Sequence, residues 1–181
     1  MSAAQERGRL AMMFARNGRW ARNGASLAAV LLLAGCISLG GKVPAQLISL
    51  TPEATAPAGT LAAGPRSDAL IVLDPEADRR LDVQRVPVRI DDANIAYLKD
   101  ATWVERPTRQ FRHLLAETIR AKGKRMVLEA GDGDGQARTV LSGRMIDIGY
   151  DARRKAVIVR YDALREELGG AVTSRRFEAV V

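Results

Sequence analysis

A single cysteine, Cys36, and a single histidine, His113, stand in a chain of 181 residues, and this scarcity excludes whole classes of chemistry. One thiol cannot close an intramolecular disulfide. One cysteine and one histidine do not make the paired spacings of a zinc site. A histidine-based catalytic centre needs a nucleophile fixed beside the ring; nothing in the pattern around His113 supplies one, and its place on the polar side of a helix reads as a solvated surface residue. Gly-x-Ser-x-Gly elbows, Gly-Lys-Ser/Thr phosphate loops and solenoid-length repeats are also missing. So is a bilayer-length apolar run of about 20 residues, because the uncharged stretch from Asn23 to Gly41 is diluted by four glycines and two serines. Only a carboxylate-based hydrolase stays open, since acids scattered through a chain can converge in space. No catalytic residue, metal ligand or cofactor is therefore assigned.

What the chain does have begins at its N-terminus. Arg7, Arg9, Arg16, Arg19 and Arg22 face one acid, Glu6, and the apolar run Leu27 to Leu33 follows, the basic-then-apolar order of a secretory signal. The run closes on Leu33-Ala34-Gly35-Cys36, which resembles a bacterial lipobox, where signal peptidase cuts before a cysteine already carrying diacylglycerol. A lone cysteine is ordinarily a small buried hydrophobe, but Cys36 lies where an apolar core meets a Gly-rich stretch that offers no burial. It is read as the lipidated first residue of the mature chain. The basic region is long for a signal, and Met12 or Met13 as the true start in place of Met1 would give an ordinary length.

Removing residues 1–35 changes the charge argument. The chain has 28 basic and 21 acidic residues, of which the first 35 hold five and one, leaving 23 against 20. An excess of three is no basic footprint for nucleic acid. Three segments follow: a lipoprotein signal peptide over 1–35, a lipidated N-terminus and linker over 36–66, and one domain over 67–181. The linker is rich in Gly, Pro, Ala and Thr and holds one short strand, Gln46 to Thr51.

From residue 68 the pattern is globular. Ala69 to Leu73 reads as a buried strand closed by a turn over Asp74 to Asp78. Val86-Pro87-Val88-Arg89-Ile90 alternates, and Pro87, which cannot donate to a ladder, predicts an edge or an irregular start. Ile95 to Leu98 is a weaker strand. A helix is predicted over Pro107 to Lys122, with proline in its first turn and Gly123 as a left-handed cap. Phe111, Leu114, Leu115, Thr118, Ile119 and Lys122 form its packed face, with Arg109, His113, Ala116 and Arg120 opposite. Met126 to Leu128 is a short strand, and Gly131 to Gly135 a flexible turn rather than a calcium loop, for it lacks the further oxygen ligands and the glutamate at position twelve. Val140 to Tyr150, Ala156 to Leu164 and Ser174 to Val181 alternate as an antiparallel meander. The fold class is α+β: one domain, a mixed or antiparallel sheet with a long helix on one face.

The candidate contacts lie around that helix. Glu105 to Arg125 carries seven cations against two acids, and Trp103, Arg106, Arg109, Arg112 and Arg120 are the residues that would meet a partner or acidic lipid headgroups. Against this stands the plainer reading of a core tryptophan and a solvated helix face. Strand edges near Pro87 and Val181 are places where a partner strand could add.

The lipobox, Leu47-Ile48-Ser49-Leu50-Thr51-Pro52, Ile95-Ala96-Tyr97-Leu98, Trp103-Val104-Glu105-Arg106-Pro107 and the closing Arg175-Arg176-Phe177-Glu178-Ala179 together resemble the ABC-type transport auxiliary lipoprotein family. The resemblance implies a non-enzymatic accessory lipoprotein on the periplasmic side of the envelope, partnered with a mammalian-cell-entry (MCE) type substrate-binding subunit, a permease and an ATPase that move lipids or organic solvents. Ile37 after the cysteine points, by analogy with enteric sorting, to the outer membrane. Family members commonly add a C-terminal helix, so the sequence to Val181 reads either as truncated or as covered by a partner, and self-association is expected of the uncovered sheet. An envelope hydrolase and a structural outer-membrane lipoprotein are the alternatives.

Overall fold

In the computed structural model, the structure describes residues 46–123, 125–132 and 137–181, all within one compact unit running from Pro44 to Val181. In chain order the strands are β1 (Gln46–Ile48), β2 (Leu70–Val72), β3 (Glu76–Ala77), β4 (Arg85–Arg89) and β5 (Ile95–Trp103), then helix α1 (Pro107–Lys122), then β6 (Val127–Glu129), β7 (Thr139–Asp151), β8 (Ala156–Glu167) and β9 (Val172–Val180). The nine strands form a single mixed sheet.

Strand β7 organises it. Along one side it pairs antiparallel with β8, from Thr139 opposite Glu167 to Asp151 opposite Ala156. Along the other it takes three short strands in succession, all parallel: β2 at Thr139, β3 at Arg144 and β4 at Tyr150. Beyond β4 lie β5, antiparallel, and β1, parallel to β5; beyond β8 lies β9. The expected meander is thus present, with parallel pairings added.

Two glycines in β7 are required by close approach. Gly143 and Gly149 both have φ near +153°, and a Cβ on Gly143 would lie 2.1 Å from the Asp162 carbonyl oxygen. One on Gly149 would lie 2.4 Å from the Pro87 carbonyl. The missing side chain at Gly143 leaves room for Tyr161, whose hydroxyl donates to the Ser142 carbonyl at 2.6 Å. Burial pushes the Tyr161 phenol up to about 12. A bulge between Met145 and Asp147 then resets the alternation, so that Met145 and Ile148 both point into the core.

The helix covers one face. Phe111 meets Tyr161 edge-on at 5.0 Å, within a cluster that also holds Leu81, Val86, Trp103, Met145 and Ile148. Ala116 is wholly buried against Leu70, Val72 and Val127 in a second cluster. Each fully buried large apolar side chain contributes about 1.5–3 kcal/mol, so these two clusters fix α1 on the sheet. The helix bounds match the prediction, but its faces differ: Ala116, expected on the wet side, is core, and Arg112 is buried with it. Gly123 is extended at φ −118° rather than left-handed; its N–H still bonds the Ile119 carbonyl.

Other expectations also shift. Pro87 lies in an interior strand, between β5 and β7, and is accommodated because the ladder to β5 slips between Arg85 and Pro87 and pairing to β7 starts only at Val88. The turn expected over Asp74 to Asp78 contains the two-residue strand β3. Part of the segment read as linker runs along the helix: the Leu50 N–H donates to Gln110 at 2.9 Å and the Ala56 N–H to Glu117 at 2.7 Å. The side chains of Gln110 and Glu117 thereby satisfy backbone donors that an isolated linker would leave to water.

Candidate functional site

The cations of α1 are drawn inward by one carboxylate. Glu129, at the end of β6, accepts from Arg112 Nε at 3.2 Å and Arg120 Nη2 at 3.0 Å, and His113 Nδ1 lies 2.5 Å away. Arg112 reaches on to Asp74 at 3.1 Å, with only 9 % of its side chain exposed. Arg120 also pairs with Glu117 and donates to the Val127 carbonyl. Two buried or half-buried arginines and one acid so arranged hold helix and sheet together; they leave little free charge for a ligand.

The remaining predicted contacts divide. Trp103 is buried in the core, with its indole nitrogen unpartnered. Arg106 and Arg109 are exposed at the start of the helix and pair with Asp82 at 3.3 Å and Glu105 at 2.8 Å. The Glu105 hydrogen bond, and then its charge, raise the Arg109 pKa. The structure therefore brings Arg112 and Arg120 together around Glu129, leaves Arg106 and Arg109 on the surface, and withdraws Trp103. His113 is more than half exposed, and its Nδ1 faces Glu129, which the arginines already hold. Cys36, Leu33, Ala34 and Gly35 lie outside the described residues, as does part of the Gly131–Gly135 turn. Among the described residues no group of three or more His, Cys, Asp or Glu side chains is placed to hold a metal ion, and no helix is long and apolar enough to cross a membrane.

A second surface lies on the last strand, near the edge expected at Val181. Every residue of β9 is exposed. One face of the strand carries Phe177, 48 % exposed, with the Arg175 guanidinium 5.0 Å from its ring, and Val181 follows on the same side. The opposite face is a ladder of ion pairs to β8. Arg176 grips Asp162 at 2.6 Å through both nitrogens, and Arg160 grips Glu178 at 2.6 and 2.8 Å. The hydrogen bond from Arg176 holds the Asp162 carboxyl below its usual range, and that from Arg160 does the same for Glu178. Beside this ladder a cleft of about 360 Å³ opens between the β2–β3 segment and the sheet, with Glu76, Arg144 and Asp162 on its walls. The sequence signal for the ladder was present in Arg160, Asp162, Arg176 and Glu178, but only register makes them partners.

The profile of the ABC-type transport auxiliary lipoprotein component matches residues 49–181, and the chain belongs to that family. Comparison with curated proteins finds no match. Among solved structures, the chain is similar to protein XCC0632 from Xanthomonas campestris, described as a DUF330 protein: 18 % identity, TM-score 0.60, covering 74 % of this chain and 76 % of that one. A second crystal structure, of an uncharacterized protein, gives 14 % identity and a TM-score of 0.59 over 75 % of this chain and 78 % of the other. These likenesses concern the fold.

Proposed function

We propose that this chain is a lipid-anchored accessory subunit on the periplasmic side of the envelope, held by acyl chains on Cys36, and that it serves an ABC transporter of lipids or organic solvents. Its partners in this reading are an MCE-type substrate-binding subunit, a permease and an ATPase, and its residence is the outer membrane. It acts by association and not by catalysis. The family membership of residues 49–181 carries the proposal, and the lipobox Leu33-Ala34-Gly35-Cys36 upstream of that domain supports the anchor. Each buried acyl CH₂ contributes about 0.8 kcal/mol, and two or more chains hold a domain stably where one binds reversibly.

The test has two arms. Mass spectrometry of the mature N-terminus should find Cys36 acylated, and Cys36→Ser should release the protein from the membrane or block its processing; an unmodified Cys36 removes the anchor. Cross-linked envelopes should yield the permease, ATPase and MCE-type subunit with this chain. If instead the purified protein hydrolyses lipid, glycan or peptide at a rate abolished by one carboxylate substitution, it is an envelope hydrolase.

A further inference from the structure

The free edge of β9 has a polarity and a register of its own. Val157 and Val181 exchange both backbone hydrogen bonds, at 2.8 and 3.0 Å, and the Glu167 N–H donates to the Ala171 carbonyl. Odd-numbered residues of β9 therefore bond inward to β8. By the alternation of an antiparallel ladder, Val172, Ser174, Arg176, Glu178 and Val180 turn their N–H and C=O groups outward, and among the described residues no strand receives them. An open edge of nine residues is a template for another strand.

We propose that its occupant is a second copy of this chain, with the two β9 strands running antiparallel about a two-fold axis at Phe177. Charge selects the copy and the register. With the axis at Phe177, Arg176 of each copy stands directly opposite Glu178 of the other, in a pair whose backbone groups both face outward. Moving the axis one residue back sets Arg176 against Arg176; one residue forward sets Glu178 against Glu178. Like charges directly opposite destabilise a strand pair and opposite charges stabilise it. The register at Phe177 also extends the ladder already on that face, because Arg176 is bonded to Asp162 and Glu178 to Arg160 within each copy. Asp162, Arg176, then Glu178 and Arg160 of the second copy form one alternating row. On the other face the two Phe177 rings meet in a non-hydrogen-bonded pair, where side chains come closest, and each shields the other's exposed surface. The interface is isologous and closes on itself. It stands independently of the transporter assignment.

The test uses the full-length protein in envelope membranes, oxidised with copper–phenanthroline, with the unsubstituted chain and its Cys36 as reference. Cβ atoms of directly opposed residues are about 4.5–5.5 Å apart, near disulfide geometry, so Phe177→Cys should give a species of twice the chain mass. Arg175→Cys alone and Ala179→Cys alone should not, because like cysteines would be displaced four residues, about 13 Å, along the strand. Co-expressed, those two variants should cross-link to each other. The proposal is overturned if Phe177→Cys stays at the monomer mass, if Arg175→Cys alone cross-links as readily, or if the only products join this chain to other envelope proteins. The last outcome would give the edge to a transporter subunit instead.

Discussion

Glu129 and Arg112 bond at 3.2 Å with both side chains almost wholly withdrawn from water, and this pair joins α1 to the last residue of β6. Removing one partner of a buried ion pair strands the other and costs about 3–5 kcal/mol. Glu129→Ala should therefore lower stability by several kcal/mol, because Arg112 and Arg120 both lose their shared acid. Arg109→Ala, at an exposed pair that water screens, should leave it nearly unchanged. Urea unfolding of the two variants against the parent measures the difference; equal effects would show that Glu129 is well hydrated.

Gly143→Ala should be among the most damaging small substitutions in the domain. The new methyl would lie 2.1 Å from the Asp162 carbonyl and 2.6 Å from the Tyr161 hydroxyl, at a backbone φ of +153°. Overpacking alone costs about 1–3 kcal/mol, and the backbone strain adds to it. Gly131→Ala, at a positive φ with nothing within 4 Å of its Cβ, should retain only the strain. Thermal melts of the two separate crowding from conformation.

Trp103 offers a different comparison. Its ring is packed among Val86, Phe111 and Met145 while its N–H has no partner. Trp103→Phe removes the orphaned donor along with part of the ring and should cost far less than Trp103→Ala, for which about 3–5 kcal/mol is expected. Neither variant should alter membrane association at matched folded concentration. A specific loss of partner binding in folded Trp103→Phe would restore a docking role to this residue.

Acid should loosen β9 from β8. Asp162 and Glu178 are held below the usual values of 3.8 and 4.5, chiefly by hydrogen bonds from Arg176 and Arg160. A depressed folded pKa contributes stability above the unfolded value, and that contribution disappears as the pH falls through the folded one. The protection factors of the β9 amides bonded to β8, taken relative to the intrinsic exchange rate at each pH, should therefore be unchanged from neutrality down to about pH 5 and fall below about pH 4. Protection that stays constant to lower pH would mean that water already screens these exposed pairs.

The pattern of apolar residues was enough to locate α1 between Pro107 and Lys122 and the three C-terminal strands, because a long period-matched segment carries its own signal. Pairing was harder to read. Pro87 marked an irregular strand correctly, yet it could not say that β4 lies inside the sheet, since that depends on β7 arriving from sixty residues away. Ala116 and Arg112 were misplaced for a related reason: a small residue and a long cation carry no apolar signature, and their burial is set by Val127 and Glu129 on β6. Trp103 and the helix arginines drew attention as contacts by residue type alone. The β9 edge, by contrast, could be anticipated from Phe177, Ala179 and Val181 on one side of a final strand, although its ion-pair ladder needed the observed register.

Because β7 receives β2, β3 and β4 on one side and β8 on the other, the β1–β5–β4 strands and the β2–β6 pair are joined into one sheet only through residues 139–151. Contacts of such long sequence separation form late, since the loop-closure entropy must be met before they stabilise anything. Until then Leu70 to Val72 have only Val127 to Glu129 beside them. A polypeptide that threads unfolded across a membrane benefits from that delay, for premature sheet formation on the near side would block passage. In the envelope protein proposed here, the dependence of the whole sheet on residues 139–151 would keep its two halves unjoined until that strand has crossed.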